Sequence, residues 1–164
     1  MEGTISTIVL PEVDDTVRLG QMIGERLRAG DLVLLAGPLG AGKTALARGI
    51  GAGLGVGGRI SSPTFVLARE HPAGPRGVPL VHVDAYRLGG SLAELDDLDL
   101  DSELTEAAVV VEWGTESASR LSSDYLLVTL ERRPDDQRVA TLQGYGCWPG
   151  RVAGLGDGPA DQRR

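Results

Sequence analysis

The sequence predicts an α/β fold, and three observations carry that prediction. An apolar run, Asp31-Leu32-Val33-Leu34-Leu35-Ala36, leads into a glycine-rich stretch. Beyond that stretch Leu46, Ile50 and Leu54 recur every fourth residue, the spacing of one helical stripe. Further apolar or β-branched runs at 4–10, 80–85 and 107–111 supply strand candidates on both sides of this strand–loop–helix unit.

The elements follow in order. Thr4 to Leu10 is β-branched and predicts a strand that Pro11 ends. Asp14 or Asp15 is suited to cap a helix running to about Arg28, with Leu19, Ile23 and Leu27 on one face and Gly30 as C-cap. Residues 31–36 form the next strand and Ala45 to Leu54 the next helix. Gly49, Gly51, Gly53 and Gly55 each weaken that helix by up to ~1 kcal/mol relative to Ala, so it either packs very closely on the sheet or ends early. Phe65 to Arg69 and Leu80 to Ala85 are strand candidates. The Pro- and Gly-rich residues 72–79 between them are too irregular for a tight hairpin and are expected to hold the mobile loop of the fold. Ser91 and Asp101 are placed to cap two short helices. Ala107 to Val111 is the most β-prone run and predicts a central, buried strand. A short helix is expected around Glu116 to Leu121. Tyr125 to Glu131 and Arg138 to Leu142 alternate across Pro134-Asp135-Asp136, a hairpin signal. From Trp148 onward Gly, Pro, Arg and Asp dominate. This divides the chain into one domain, 1–147, and a disordered tail, 148–164.

Composition narrows the function classes. A chain of 164 residues suits one domain with one core. Aromatic content is only 4%, so Leu, Val, Ile and Ala must fill that core. No apolar run approaches the ~20 residues needed to cross a bilayer, and no signal peptide is visible. Cys147 is the single cysteine, which rules out an intrachain disulfide and fits the cytoplasm. With a net charge of −7 the chain is not expected to hold bare nucleic acid, DNA included, because neutralising phosphates supplies most non-specific affinity.

The chemistry is concentrated in Gly37-Pro38-Leu39-Gly40-Ala41-Gly42-Lys43-Thr44, which reads G-x-x-x-x-G-K-T, a phosphate-binding loop. Glycines let main-chain N–H groups turn inward around phosphate oxygens, and the following helix adds free donors and partial positive charge. Gly37, Leu39, Gly40, Ala41, Gly42, Lys43, Thr44 and Ala45 are therefore the expected nucleotide contacts. Lys43 reaches the terminal phosphates and the Thr44 hydroxyl ligates Mg²⁺. Of the 16 basic residues Lys43 is the only Lys, a position where a compact ammonium fits and a planar guanidinium is too wide.

Turnover needs more than the loop. Asp84 ends an apolar strand and is the candidate second Mg²⁺ carboxylate. Glu112 ends another; there it can orient or deprotonate water, or reach the metal through water. Trp113 beside it is a candidate to shield the site or to stack on a ligand. Thr64, in the loop between the phosphate-loop helix and the Asp84 strand, is placed like a γ-phosphate sensor. His82 stands two residues from Asp84 and is assigned a supporting role. The acidic run from Glu94 to Glu106 reads either as a solvated face or as a dock for a basic partner.

Four pieces now stand in order: residues 37–44, Ser-Ser-Pro-Thr-Phe at 61–65, His-Val-Asp-Ala-Tyr-Arg-Leu at 82–88, and Val-Glu-Trp at 111–113. Together they resemble the bacterial TsaE (YjeE) family, the small ATPase of tRNA threonylcarbamoyladenosine biosynthesis, over about residues 10–145. The resemblance implies an α/β P-loop NTPase fold of three layers with a mixed parallel and antiparallel central sheet. It implies ATP and Mg²⁺ bound through Lys43, Thr44 and Asp84, a switch-like Thr64, and Glu112 and Trp113 at the active site. It also implies partners, the TsaD–TsaB pair, which modify the adenosine next to the anticodon. The chain would then support their repeated turnover by slow ATP hydrolysis, contacting tRNA only indirectly. One departure is visible: Gly114-Thr115-Glu116 follows the Glu-Trp piece where the family commonly has Pro or a similar residue and then an acidic one. Two rival readings remain, a small-molecule P-loop kinase and a nucleotide-binding regulatory module without useful turnover. For the kinase, residues 69–79 with Arg69 and Arg76 are the only lid candidate.

Overall fold

A strand that is apolar at every position needs cover on both faces, and Leu32–Ala36 is such a strand. In the computed structural model, which describes residues 5–38, 41–56, 68–84, 106–112, 124–148 and 151, it lies at the centre of a seven-stranded sheet. Among the described residues the elements are β1 (Ile5–Leu10), α1 (Val13–Arg26), β2 (Leu32–Ala36), α2 (Lys43–Leu54), β3 (Ala68–His71), β4 (Leu80–Asp84), β5 (Ala108–Glu112), β6 (Tyr125–Arg132) and β7 (Arg138–Tyr145). The strand order is β1-β7-β6-β2-β5-β4-β3. The four middle strands run parallel, whereas β1, β7 and β3 pair antiparallel at the edges. The sheet is thus mixed.

Alternation assigns the faces. Val33 and Leu35 of β2 and Ala108 and Val110 of β5 share one buried cluster with Leu19 and Ile23 of α1 and Leu46 and Ile50 of α2. Leu32, Leu34, Val81, Val83, Val109 and Val111 point the other way and are buried as well. Burial of both faces is what a three-layer arrangement requires. Leu, Ile, Val and Ala make up most of this core, as the low aromatic content demands.

Several expectations need correction. Neither Asp14 nor Asp15 is the N-cap of α1; Glu12 is, and the Asp15 carboxylate reaches back to accept the Glu12 N–H at 3.0 Å. The helix ends at Arg26 because Leu27 is already extended, and Gly30 instead serves the turn beyond, its N–H donating to Ala107 O at 3.0 Å. The glycines of α2 do mark a close approach, but to α1 rather than to the sheet. A Cβ on Gly49 would stand 2.1 Å from Val17 O, and one on Gly53 2.1 Å from Gln21 O; on α1, Gly20 and Gly24 meet Leu46 O and Ile50 O at 2.3 and 2.2 Å. Two glycines four apart on each helix interlock the backbones, so α2 runs its full 12 residues despite poor propensity.

Gly24→Ala tests this packing. Helix propensity alone favours Ala by about 1 kcal/mol, while overpacking costs about 1–3 kcal/mol. A net loss of stability in urea denaturation is expected. A neutral or stabilising result would show that the two helices have room to spare.

The turn at 72–79, expected to be mobile, is tethered. Arg76 donates to Gly24 O at 2.7 Å, Leu27 O at 2.9 Å and Gly53 O at 3.2 Å, satisfying carbonyls at the C-terminal ends of both helices. The tail boundary at 148 is also too early. Trp148 is fully buried in the core. The Arg151 guanidinium lies 3.8 Å over its ring and forms a two-pronged pair with Asp31, at 2.8 and 2.7 Å. The hydrogen bonds with Asp31 raise the already high Arg151 pKa, so the guanidinium keeps its charge. The expected helices near Ser91, Asp101 and Glu116 lie outside the described residues.

Candidate functional site

Four neighbouring parallel strands bring their carboxyl ends to one edge of the sheet, the side on which ligands bind in open α/β sheets. The glycine-rich loop leaves from the end of β2. Asp84 and Glu112 are the last residues of β4 and β5 and pair with each other in register. Leu35, two residues before Gly37, pairs with Glu112 on its other side. The sheet alone therefore gathers loop, Asp84 and Glu112 at one place.

Backbone geometry explains the loop's glycines. Gly37 has φ +143°, and a Cβ there would lie 2.5 Å from Leu130 O on β6. Gly42 has φ +105° and is the N-cap of α2. Being glycine, it offers no capping side chain, and the first turn of α2 carries no acidic residue. Leu46 N–H is the first to close a helical bond, to Gly42 O at 3.0 Å. The N–H groups of Lys43, Thr44 and Ala45 precede it, at the positive end of the helix. Lys43 is buried at 6% exposure, and its ammonium donates to Gly37 O and, at 3.4 Å, to Pro38 O. Carbonyls of the loop thus hold the cation beside the bare helix end. Ala41 N–H donates to Pro38 O at 3.1 Å, which tightens the loop.

Glu112 follows Val110 on the face that carries α2, and it is 4% exposed. Its Oε2 lies 2.6 Å from His82 Nε2 in β4, and His82 is wholly buried. The supporting role expected of His82 has a partner in the structure: its imidazole pairs with Glu112, one strand over. The signal was available only as a register between the runs at 80–84 and 108–112, which sequence spacing does not encode. Among the described residues no group of three or more His, Cys, Asp or Glu side chains encloses a cation. Mg²⁺ usually takes one or two carboxylates and completes its shell with phosphate oxygens and water, so the Thr44 hydroxyl with the carboxylates ending β4 and β5 fits its chemistry. Leu39, Gly40, Thr64 and Trp113 lie outside the described residues.

One part of the site went unforeseen. A cleft of about 300 Å³ opens beside Gly42 and Ala45, walled by Pro11, Glu12 and Thr16 on one side and Arg138 on another. Arg138 is held by Asp136, at 2.5 Å to the carbonyl and 3.4 Å to the carboxylate. Arg132 also binds Asp136 and, through that hydrogen bond and its charge, keeps the exposed carboxyl below the usual carboxylate range. These residues come from the start of α1 and the β6–β7 turn, which sequence patterns mark only as a helix start and a hairpin. Arg76, half of the candidate kinase lid, is committed to helix carbonyls at the far end of α2, about 15 Å along the helix from Lys43.

Comparison with known proteins agrees with this geometry. Residues 10–140 match the family model described as threonylcarbamoyl adenosine biosynthesis protein TsaE. A Streptomyces coelicolor protein named tRNA threonylcarbamoyladenosine biosynthesis protein TsaE is 52% identical over 132 residues, 78% of this chain and 89% of its own. The protein of the same name from Mycobacterium tuberculosis is 55% identical over 142 residues, 82% of this chain and 84% of its own. That from Bacillus subtilis is 33% identical over 134 residues, 81% of this chain and 82% of its own. The crystal structure of Bacillus subtilis YdiB shares the fold, with TM-score 0.74 at 23% identity over 100% of this chain and 99% of that one. The chain belongs to the TsaE family of tRNA threonylcarbamoyladenosine biosynthesis proteins.

Proposed function

We propose that the chain binds ATP with Mg²⁺ and hydrolyses it slowly, in support of threonylcarbamoyl transfer to the adenosine next to the anticodon by a TsaD–TsaB pair. It is not itself the transferase. The observation that carries the nucleotide reading is the bare N-terminus of α2, with a buried ammonium beside it and no acidic residue in its first turn. The partner reading rests on the family alone.

In this reading the triphosphate lies along residues 37–45, its oxygens accepting main-chain N–H groups of the loop and of the first turn of α2. Lys43 exchanges the carbonyls of Gly37 and Pro38 for phosphate oxygens, since contacts between two charged groups are roughly twice as strong as those to neutral acceptors. The cleft between Glu12, Thr16 and Arg138 receives the nucleoside. Thr44 and Asp84 hold Mg²⁺, which when bound offsets phosphate charge. Glu112 orients the attacking water or removes its proton, with Thr64 as γ-phosphate sensor and Trp113 as the residue that shields the site or stacks on the ligand. With a net charge of −7, the chain leaves tRNA contact to its partners.

The test is threonylcarbamoylation of tRNA by a TsaD–TsaB pair, with and without this chain and ATP. Modification beyond one equivalent per TsaD–TsaB pair is expected only when both are added. Equal yields in their absence would contradict the reading.

A further inference from the structure

We infer that His82 is a positioning residue for Glu112, holding one carboxylate oxygen so that the other is presented to the reacting water or its metal. The inference rests on the role proposed for Glu112 and deepens it. His82 Nε2 and Glu112 Oε2 share a hydrogen bond at 2.6 Å, in which the Nε2–H tautomer of the imidazole donates to the carboxylate oxygen. Neither group moves freely. His82 is 0% exposed and sits in the interior of β4, while Glu112 is 4% exposed at the end of β5. The parallel register sets His82 against Val110 and Asp84 against Glu112, so the imidazole reaches the carboxylate diagonally, one step along the sheet from the strand ends. Among the described residues His82 Nδ1 has no partner although it is buried. A polar ring held in the core by one hydrogen bond costs stability relative to an apolar residue of similar size. The bond it makes, to the buried carboxylate that ends β5, is the compensating function.

Removal of the outer partner that orients a metal-ligating side chain typically costs about 10–100-fold in metal affinity or activity, and a loss of that order is expected where the oriented side chain is Glu112. His82→Leu is expected to lower kcat for Mg²⁺–ATP hydrolysis by about that factor, with ATP affinity within about twofold of wild type. His82→Gln, whose amide N–H can take the place of Nε2–H, should recover most of the loss. In a Glu112→Gln background His82→Leu should cost nothing further, since the two act as one unit. Crystal structures give a readout independent of turnover: the Glu112 carboxylate should rotate away in His82→Leu and keep its place in His82→Gln. Full additivity of the two substitutions, or an unmoved carboxylate in His82→Leu, would overturn the inference. Unchanged turnover in Glu112→Gln alone would instead remove Glu112 from the mechanism, and the inference with it. Loss of folding in His82→Leu would leave His82→Gln and its structure to decide.

Discussion

Lys43→Ala should lose ATP. Removing one partner of a buried charged contact costs about 2–5 kcal/mol, which is about 30-fold or more in Kd. The main-chain N–H groups of the loop survive the substitution, so the loss measures the ammonium alone. Lys43→Arg is expected to bind poorly too. The lysine is only 6% exposed and already lies against the carbonyls of Gly37 and Pro38, which leaves a wider planar cation no room to reach the same oxygens. Calorimetric titration with Mg²⁺–ATP separates the outcomes. Wild-type affinity in Lys43→Ala would refute the phosphate assignment, and wild-type affinity in Lys43→Arg would refute the steric account of why lysine stands there.

Glu112→Gln should keep ATP and stop turning it over. The substitution preserves shape and removes the charge that a base or a water-orienting group needs, an effect of about 100- to 10,000-fold on kcat. Affinity should change little, because the loop and Lys43 supply most of the phosphate contacts. Single-turnover hydrolysis with enzyme in excess is the measurement. An unchanged rate would leave Glu112 a strand-end residue with no part in the chemistry. A loss of binding equal to the loss of rate would make it a metal ligand first and a base second.

Much of the architecture was legible because it depends on local patterns. The strand–loop–helix unit from Asp31 to Leu54 follows from an apolar run, a glycine motif and a four-residue stripe, and the structure places it at the sheet's centre. The strands ending in Asp84 and Glu112 were likewise read from apolar runs that stop at a carboxylate. What was not legible depends on pairing between distant segments. The strand order, the His82–Glu112 contact and the wall that Arg138 adds beside Gly42 all arise from register and crossover, which spacing does not carry. The tail shows a further limit. Composition averages over a window, so one tryptophan that fills a core position and one arginine that pairs with Asp31 vanish among Gly and Pro. Gly49 and Gly53, which look like helix breakers, instead form with Gly20 and Gly24 the contact surface between two helices, a use that propensity scales cannot see.

The central claim is that residues 37–45 cradle a triphosphate, and a crystal structure grown with Mg²⁺ and a non-hydrolysable ATP analogue tests it most directly. The β- and γ-phosphates should lie at the N-terminus of α2, with Lys43 Nζ turned from the loop carbonyls onto phosphate oxygens and the base in the cleft beside Arg138. An analogue bound elsewhere, or a loop closed on Lys43 at saturating ligand, would contradict the account.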